Sequence, residues 1–258
     1  MLDWTADLAY RAGALLRAGL HRAREIELKS RAEVVTDVDR ASEALIVGAI
    51  RERFPDHRVV AEEGGGVEGS SRYTWLIDPL DGTNNYAHGF PFFCVSLALL
   101  EDDQPLIGVV YDPLRDELFT AERGAGARCN GRRLAVSRVA RLDAALLTTG
   151  FPYNRFIQND NNLREFGRLL LLAQDVRRPG SAALDLAYIA AGRSEGHWEL
   201  GLHPWDVAAG ALLVTEAGGS VTGWQGQPWA PWDARMVATN GCPLHAELLA
   251  ALNEPLGA

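Results

Sequence analysis

Trp75-Leu76-Ile77-Asp78-Pro79-Leu80-Asp81-Gly82-Thr83 is the stretch on which the reading of this chain turns. Three consecutive apolar residues read as a short buried strand. Asp78-Pro79 stops it, since proline brings no N–H to a ladder and fixes its own φ. The strand therefore delivers Asp78 to its end, where loops meet solvent. Gly82 permits a tight turn that presents Asp81 and Thr83 on the same side. Two carboxylates held this way repel each other, and a hard cation bridging them relieves the repulsion. Asp-Pro and Asp-Gly alone are ordinary turn chemistry. Two acids, a glycine and a threonine straight after an apolar strand favour a site.

Upstream, Val59-Val60-Ala61 is a second short strand, running into Glu62-Glu63 and three glycines. Residues 37 to 53 carry a helical stripe of Ala41, Leu45, Ile46 and Ile50, ended by Phe54-Pro55. Asp37 and Asp39 open that helix, where either could simply cap free N–H groups. Leu8, Ala12, Leu15 and Leu16 predict an amphipathic first helix, and the segment lacks the basic region and apolar core of a signal peptide.

Downstream, Phe92 to Leu100, Leu106 to Tyr111 and Glu117 to Ala121 read as strands joined by short turns, with Asn130-Gly131 a hairpin signal. Such a succession predicts an antiparallel sheet. The remainder alternates. Strands at Ala145 to Thr149, Val176, His197 to Leu200 and Met236 to Thr239 are separated by helices near 160 to 174, at Ala182 to Ala191 and at Val207 to Ala217. That pattern predicts a βα layer with parallel pairing. The expected fold is a layered αβαβα sandwich, an antiparallel α+β half (1–140) followed by a mixed or parallel α/β half (141–258). No flexible linker separates the two.

At 258 residues, 47% hydrophobic and 23% charged, the chain can bury a large core. It has no apolar run near the ~20 residues that span a bilayer. Cys94, Cys129 and Cys242 lie far apart without a CxxC pair, which argues against a disulfide framework and for a reducing cytoplasm. A net charge of -9 argues against nucleic acid as the primary partner. An acidic protein can still handle phosphate if a divalent metal mediates.

The acids combine into a known arrangement. Val35-Thr36-Asp37-Val38-Asp39, Ala61-Glu62-Glu63, the stretch Trp75 to Thr83, and Trp205-Asp206-Val207-Ala208-Ala209-Gly210 occur in order along the chain. They resemble the motifs of the inositol monophosphatase family of lithium-sensitive, metal-dependent phosphatases, with Ala61 where glycine is usual. Asn85-Tyr86-Ala87-His88-Gly89-Phe90-Pro91 and Glu216-Ala217-Gly218-Gly219 extend the resemblance over nearly the whole chain.

The resemblance implies a site residue by residue. Glu62, Asp78 and the Leu80 carbonyl would hold a first Mg2+. Asp78, Asp81 and Asp206 would hold a second, with Asp78 bridging, and a third, weaker ion would lie near Glu62. Asp39 and Thr83 would orient and help deprotonate the attacking water. Gly82 and Thr83 would contact phosphate through backbone N–H groups. Gly180, Ser181 and Ala182 would line the substrate pocket, and Glu199 would bind substrate hydroxyls. Asp37 and Glu63 are left as structural or as supports behind the metal ligands. A homodimer, a small phosphorylated substrate and lithium sensitivity that varies with the loop around Lys29 are implied in the same way.

Rival readings are weaker on spacing. A haloacid-dehalogenase-type phosphatase needs D-x-D, whereas two residues separate Asp78 from Asp81. His88, His197 and His203 show no HxxxH or HExxH spacing for zinc. Trp224, Trp229 and Trp232 favour packing or a subunit contact over a sugar platform. Gly124-Ala125-Gly126 lacks the strand–helix unit of a dinucleotide fingerprint. Within the wider superfamily, histidinol-phosphate, fructose-1,6-bisphosphate and phosphoadenosine phosphatases stay open. So does a regulatory protein that keeps the fold and binds a macromolecular partner.

Overall fold

The computed structural model describes residues 1–20, 26–241 and 243–254, so Cys242 lies outside the described residues. In chain order the elements are α1 (Leu2–Gly19), the hairpin β1 (Ile26–Ser30) and β2 (Glu33–Thr36), then α2 (Asp37–Arg53). β3 (Arg58–Ala61), β4 (Tyr73–Asp81) and α3 (Thr83–His88) follow. A run of strands comes next: β5 (Cys94–Glu101), β6 (Gln104–Asp112), β7 (Glu117–Glu122), β8 (Gly126–Cys129) and β9 (Arg132–Arg133). The second half comprises β10 (Leu146–Thr149), α4 (Leu163–Leu172), β11 (Asp175–Arg177), α5 (Ala182–Ala190), β12 (Gly196–Leu200), α6 (Pro204–Glu216), β13 (Ser220–Thr222), β14 (Arg235–Thr239) and α7 (Leu244–Asn253).

Strands β3 to β9 form one seven-stranded sheet in sequence order, antiparallel except for the parallel pair β3–β4. The second sheet runs β11-β10-β12-β14-β13. Its β11-β10-β12 part is parallel and its β12-β14-β13 part antiparallel, so it is mixed. Helices α1 and α2 cover the outer face of the first sheet, α5 and α6 lie between the sheets, and α4 and α7 cover the far face of the second. This is the expected αβαβα layering.

Burial on both faces explains why the strands read as apolar runs rather than alternating ones. Trp75 and Ile77 of β4 pack with α1 and α2, while Leu76 between them packs toward α5 and α6. On β5, Val95, Leu97 and Leu99 face the first set, and Cys94, Ala98 and Leu100 the second. Each fully buried large side chain contributes about 1.5–3 kcal/mol to this packing.

Four local expectations are corrected. β4 does not stop at Asp78-Pro79 but continues to Asp81 through a bulge. The hairpin β1–β2 was not anticipated, because every residue of β1 is exposed and leaves no burial pattern to read. Helix α6 begins at Pro204, a residue well suited to the first helical turn, so Asp206 sits inside the helix and not ahead of it. α3 and α7 were not anticipated either.

Trp224, Trp229 and Trp232 differ: Trp229 is partly buried against the central core, while Trp232 is exposed. Trp224 is buried and donates to the Met236 carbonyl at 3.1 Å, and Trp232 donates to Asp103 Oδ1 at 3.1 Å. No helix among the described residues is long and apolar enough to cross a membrane.

Candidate active site

The bulge in β4 creates the site. Asp78 pairs with Ser96 and Asp81 with Cys94, so β4 advances three residues while β5 advances two. The extra residue falls at Pro79-Leu80, where a missing N–H costs the ladder least. Gly82 follows with φ +96°, and a Cβ there would meet the Phe92 carbonyl at 2.9 Å. Only glycine fits this turn. It starts α3, whose Asn85 Nδ2 donates to the Phe92 and Pro179 carbonyls at 2.7 and 2.8 Å. That side chain ties the end of β4 to the 179–182 segment of the second half.

Three aspartates each commit an oxygen to a backbone amide. Asp78 Oδ1 accepts from Leu80 N at 3.0 Å, and Asp206 Oδ2 from His203 N at 2.7 Å. Asp81 Oδ2 accepts from Ala183 N at 2.8 Å and from Ser181 Oγ at 2.6 Å, at the start of α5. These bonds fix the carboxylates, and Glu62 comes within hydrogen-bond reach of Asp78, which joins a fourth acid to the group. No lysine or arginine among the described residues lies within 4.0 Å of any of the three aspartates.

Burial and the charges of Glu62, Asp81 and Asp206 push Asp78 well above the usual carboxylate range. Burial, then Glu62, does the same to Asp206. Asp81 is pushed up to about 6 by burial, against the hydrogen bonds from Ser181 and Ala183. Glu62 rises to about 7 by burial, although Lys29 pulls it the other way.

The fourth acid enters on the loop after β3. Glu43 of α2 shapes that loop by accepting from Glu63 N at 2.7 Å and Gly65 N at 2.8 Å. Lys29 reaches over from β1 to Glu63 at 2.5 Å, Glu62 at 3.5 Å and Glu33 at 3.8 Å. Glu63 is thus paired with Lys29, and Asp37 is exposed at the head of α2.

Asp39 and Thr83 form a separate pair. Asp39 is fully buried and closes the capping box of α2, accepting from Thr36 N at 2.9 Å. Thr83 Oγ1 lies 2.9 Å from Asp39 Oδ1 and 3.0 Å from the Leu80 carbonyl. Burial raises Asp39 to about 6, against hydrogen bonds from Thr36 and Thr83.

One cavity of about 310 Å³ gathers these groups. Glu62, Asp78, Leu80, Asp81, Gly82, Thr83, Gly180, Ser181, Ala182, Glu199 and Asp206 all line it. Asp39 does not, and reaches the cavity only through Thr83. Sequence reasoning missed Tyr153, Arg178 and Asp185 on the same wall. The Arg177-Arg178 pair just before Pro179-Gly180 was a readable signal for one of them; Tyr153 and Asp185 carried none. His88 and His203 are exposed, and His203 stacks on Trp205 at 4.8 Å.

Whether this donor set fits a cation can be judged from its chemistry. All four acids are hard oxygen donors, as Mg2+ requires. Among the described residues no three His, Cys, Asp or Glu side chains converge tightly enough to form a closed chelate. An open arrangement still suits Mg2+, which keeps several waters and is bound through one or two carboxylates plus substrate phosphate. The donor set fits on that basis.

Known proteins resemble this chain over nearly its whole length. The sequence model of the inositol monophosphatase family matches residues 1–256. An inositol-1-monophosphatase of Synechocystis is 46% identical over 253 residues, covering 97% of this chain and 88% of that protein. A protein of Pseudomonas aeruginosa named Nus factor SuhB is 48% identical over 233 residues, covering 88% and 86%. The solved inositol monophosphatase from Anabaena (Nostoc) superposes with a TM-score of 0.90 at 46% identity, covering 99% of this chain and 96% of that one.

Proposed function

The chain belongs to the inositol monophosphatase family, and from that premise we propose that it hydrolyses a small phosphomonoester, foremost an inositol monophosphate, with Mg2+. One observation carries the reading. Three aspartates from β4 and α6 line one cavity, each anchored by a backbone amide through one oxygen, with no lysine or arginine within 4.0 Å among the described residues. Such a set of buried like charges needs an external cation.

In this reading Glu62, Asp78 and the Leu80 carbonyl would hold one ion, and Asp78, Asp81 and Asp206 would hold another. A third ion near Glu62 would be mostly water-ligated. Bound Mg2+ supplies Lewis acidity and makes hydroxide available near neutral pH. Thr83, with its proton shared toward Asp39, offers its oxygen lone pairs to a water in the cavity. Asp39 is placed to take up proton density through that hydroxyl. Gly82 and Thr83 N–H groups orient the phosphate, Gly180 to Ala182 shape the wall beside it, and Glu199 accepts a substrate hydroxyl. Water attacks directly, without a phospho-enzyme. Assembly as a homodimer belongs to the same proposal.

A phosphate-release panel tests it, with inositol 1-phosphate, histidinol phosphate, fructose-1,6-bisphosphate and phosphoadenosine phosphate, each with and without Mg2+. Mg2+-dependent release, greatest with inositol 1-phosphate, is expected. No metal-dependent release from any of them would overturn the reading. Reaction in oxygen-18 water should label only the phosphate; label in an acyl phosphate on the protein would refute direct attack.

The name Nus factor carried by the Pseudomonas relative favours a second reading, a regulatory role through a macromolecular partner. D81N separates the two. If this variant is inactive as a phosphatase yet complements a strain lacking the gene, the binding role is the physiological one.

A further inference from the structure

His197 has no part in the chemistry above, yet it sits directly behind the cavity wall. Strand alternation places His197 and Glu199 on the same face of β12. The imidazole is fully buried. Its Nδ1 lies 2.9 Å from Thr148 Oγ1, on the neighbouring strand β10 in register with it. Its Nε2 lies 3.2 Å from Glu199 Oε2. On the far side, Asp185 Oδ2 of α5 stands 3.7 Å from Nδ1, beyond hydrogen-bond reach.

These distances assign the protons. A bare Nε2 lone pair facing a carboxylate oxygen at 3.2 Å would be repelled, so Nε2 carries the hydrogen. Nδ1 is then the acceptor, and the Thr148 hydroxyl donates to it. Asp185 is pushed well above the carboxylate range, by burial first and then by the charges of Glu199 and Asp81. At 3.7 Å from Nδ1 it makes no hydrogen bond to the imidazole and does not compete with Glu199 for it. Among the described residues Nε2 makes no other hydrogen bond, so its 3.2 Å approach to Oε2 is the one polar contact on that side of the ring.

Glu199 is confined from the other side as well. A Cβ at Gly150 would come within 1.9 Å of Glu199 Oε1, so the carboxylate occupies the notch this glycine leaves. That notch is itself fixed. Asn162 Nδ2 donates to the Gly150 carbonyl at 2.6 Å and to Thr149 Oγ1 at 2.8 Å, while Trp198 Nε1 donates to Asn162 Oδ1 at 2.7 Å.

We propose that His197 is a positioning residue which, with the Gly150 notch, holds Glu199 in the orientation that meets a hydroxyl on the alcohol part of the substrate. The inference rests on the phosphatase reading and deepens it. It predicts a preference for glycerol 2-phosphate over propan-2-yl phosphate, which has the same carbon skeleton without hydroxyls.

The test is the ratio of kcat/KM for these two esters in Mg2+ buffer. H197L should lower the ratio about tenfold, through KM for the hydroxylated ester. H197Q, whose amide can still donate to Glu199, should restore it to within about threefold of wild type. G150A should lower the ratio as H197L does, and it decides the matter if H197L fails to fold. A wild-type ratio near one, an unchanged ratio in G150A and H197L, or an equal fall on both esters overturns the inference and leaves the phosphatase reading standing. No Mg2+-dependent release from either ester by wild type overturns both.

Discussion

Thr83 Oγ1 lies 2.9 Å from Asp39 Oδ1, and the same carboxylate closes the capping box at the head of α2. The cap reading and the catalytic reading of Asp39 are therefore not alternatives. The helix start fixes the carboxylate, and the carboxylate fixes the threonine hydroxyl. T83A should lower kcat by roughly 10²–10³-fold with KM within about threefold, the range for a lost proton-handling group. T83S should keep most of the activity. D39N should match T83A in rate and also lose about 1 kcal/mol in urea unfolding, from the weakened cap. A T83A enzyme within fivefold of wild-type kcat would remove Thr83 from the reaction.

Asp81 joins the halves of the chain, since its Oδ2 takes the Ser181 hydroxyl and the Ala183 amide at the start of α5. S181A should raise the Mg2+ concentration for half-maximal activity severalfold and cost about 1 kcal/mol of stability as a lost cap. S181T keeps the hydroxyl and should behave as wild type. An S181A enzyme with unaltered Mg2+ dependence would mean that Ser181 caps the helix and does not steer Asp81.

Linkage gives the pH dependence its sign. Asp39 and Asp81 are raised to about 6 and Glu62 to about 7, all by burial, so without metal the folded state binds more protons than the unfolded one above pH 4. With respect to these groups the metal-free protein should be most stable below about pH 4, and should lose that contribution progressively as pH rises from there through about 6 to 7. Mg2+ binds the ionised acids, so its stabilising effect should grow over the same interval. Calorimetry at pH 5 and pH 8, with and without Mg2+, checks both signs. A larger Mg2+-induced rise in Tm at pH 5 would contradict the assignment.

Two glycines test the packing. A Cβ at Gly108 of β6 would come within 2.7 Å of the Ala209 carbonyl of α6, backbone against backbone. G108A should cost about 1–3 kcal/mol as overpacking between sheet and helix. Gly48, exposed in α2, has nothing within 4 Å of a Cβ. G48A should stabilise by about 0.5–1 kcal/mol through helix propensity and a restricted unfolded chain. Guanidinium unfolding of both variants reads the contrast, and equal effects would place the α6–β6 contact elsewhere.

What the sequence made legible follows the range of each interaction. Asp78, Asp81 and Gly82 could be read because an apolar strand, a proline and a glycine act within nine residues. The layering was legible because both faces of β4 and β5 are buried and their sequences are accordingly apolar. The bulge was not, since Asp78-Pro79 signals a strand end equally well. β1 carries no burial pattern, so Lys29 could be named but not placed against Glu62 and Glu63. Tyr153, Arg178 and Asp185 come to the cavity from a loop, the segment after β11 and the buried side of α5, positions set by tertiary contacts alone. The spacing of His197 in the sequence speaks only against zinc; its place behind Glu199 needs the register of β10 against β12.

Lys29 offers the last test, because two electrostatic effects oppose each other there. Its ammonium lies 3.5 Å from Glu62, the acid assigned to the first cation, and so repels an incoming Mg2+. The same charge pulls the Glu62 pKa down against burial, and keeps the ligand ionised. K29M removes both effects at once. At pH 8.5, above the value of about 7 that Glu62 has with Lys29 present, the wild-type acid is ionised and Mg2+ itself draws the variant's acid into the ionised form, so the lost repulsion dominates. Half-saturation by Mg2+ should then fall by roughly threefold to tenfold, the scale of one partly screened unit charge. At pH 6.5 the variant's Glu62 is more fully protonated, so the gain should shrink or reverse. Mg2+ titrations of activity at the two pH values read this directly. A weaker Mg2+ response of K29M at pH 8.5 would show that Lys29 orders the β1–β2 hairpin over the site and does not compete for its charge.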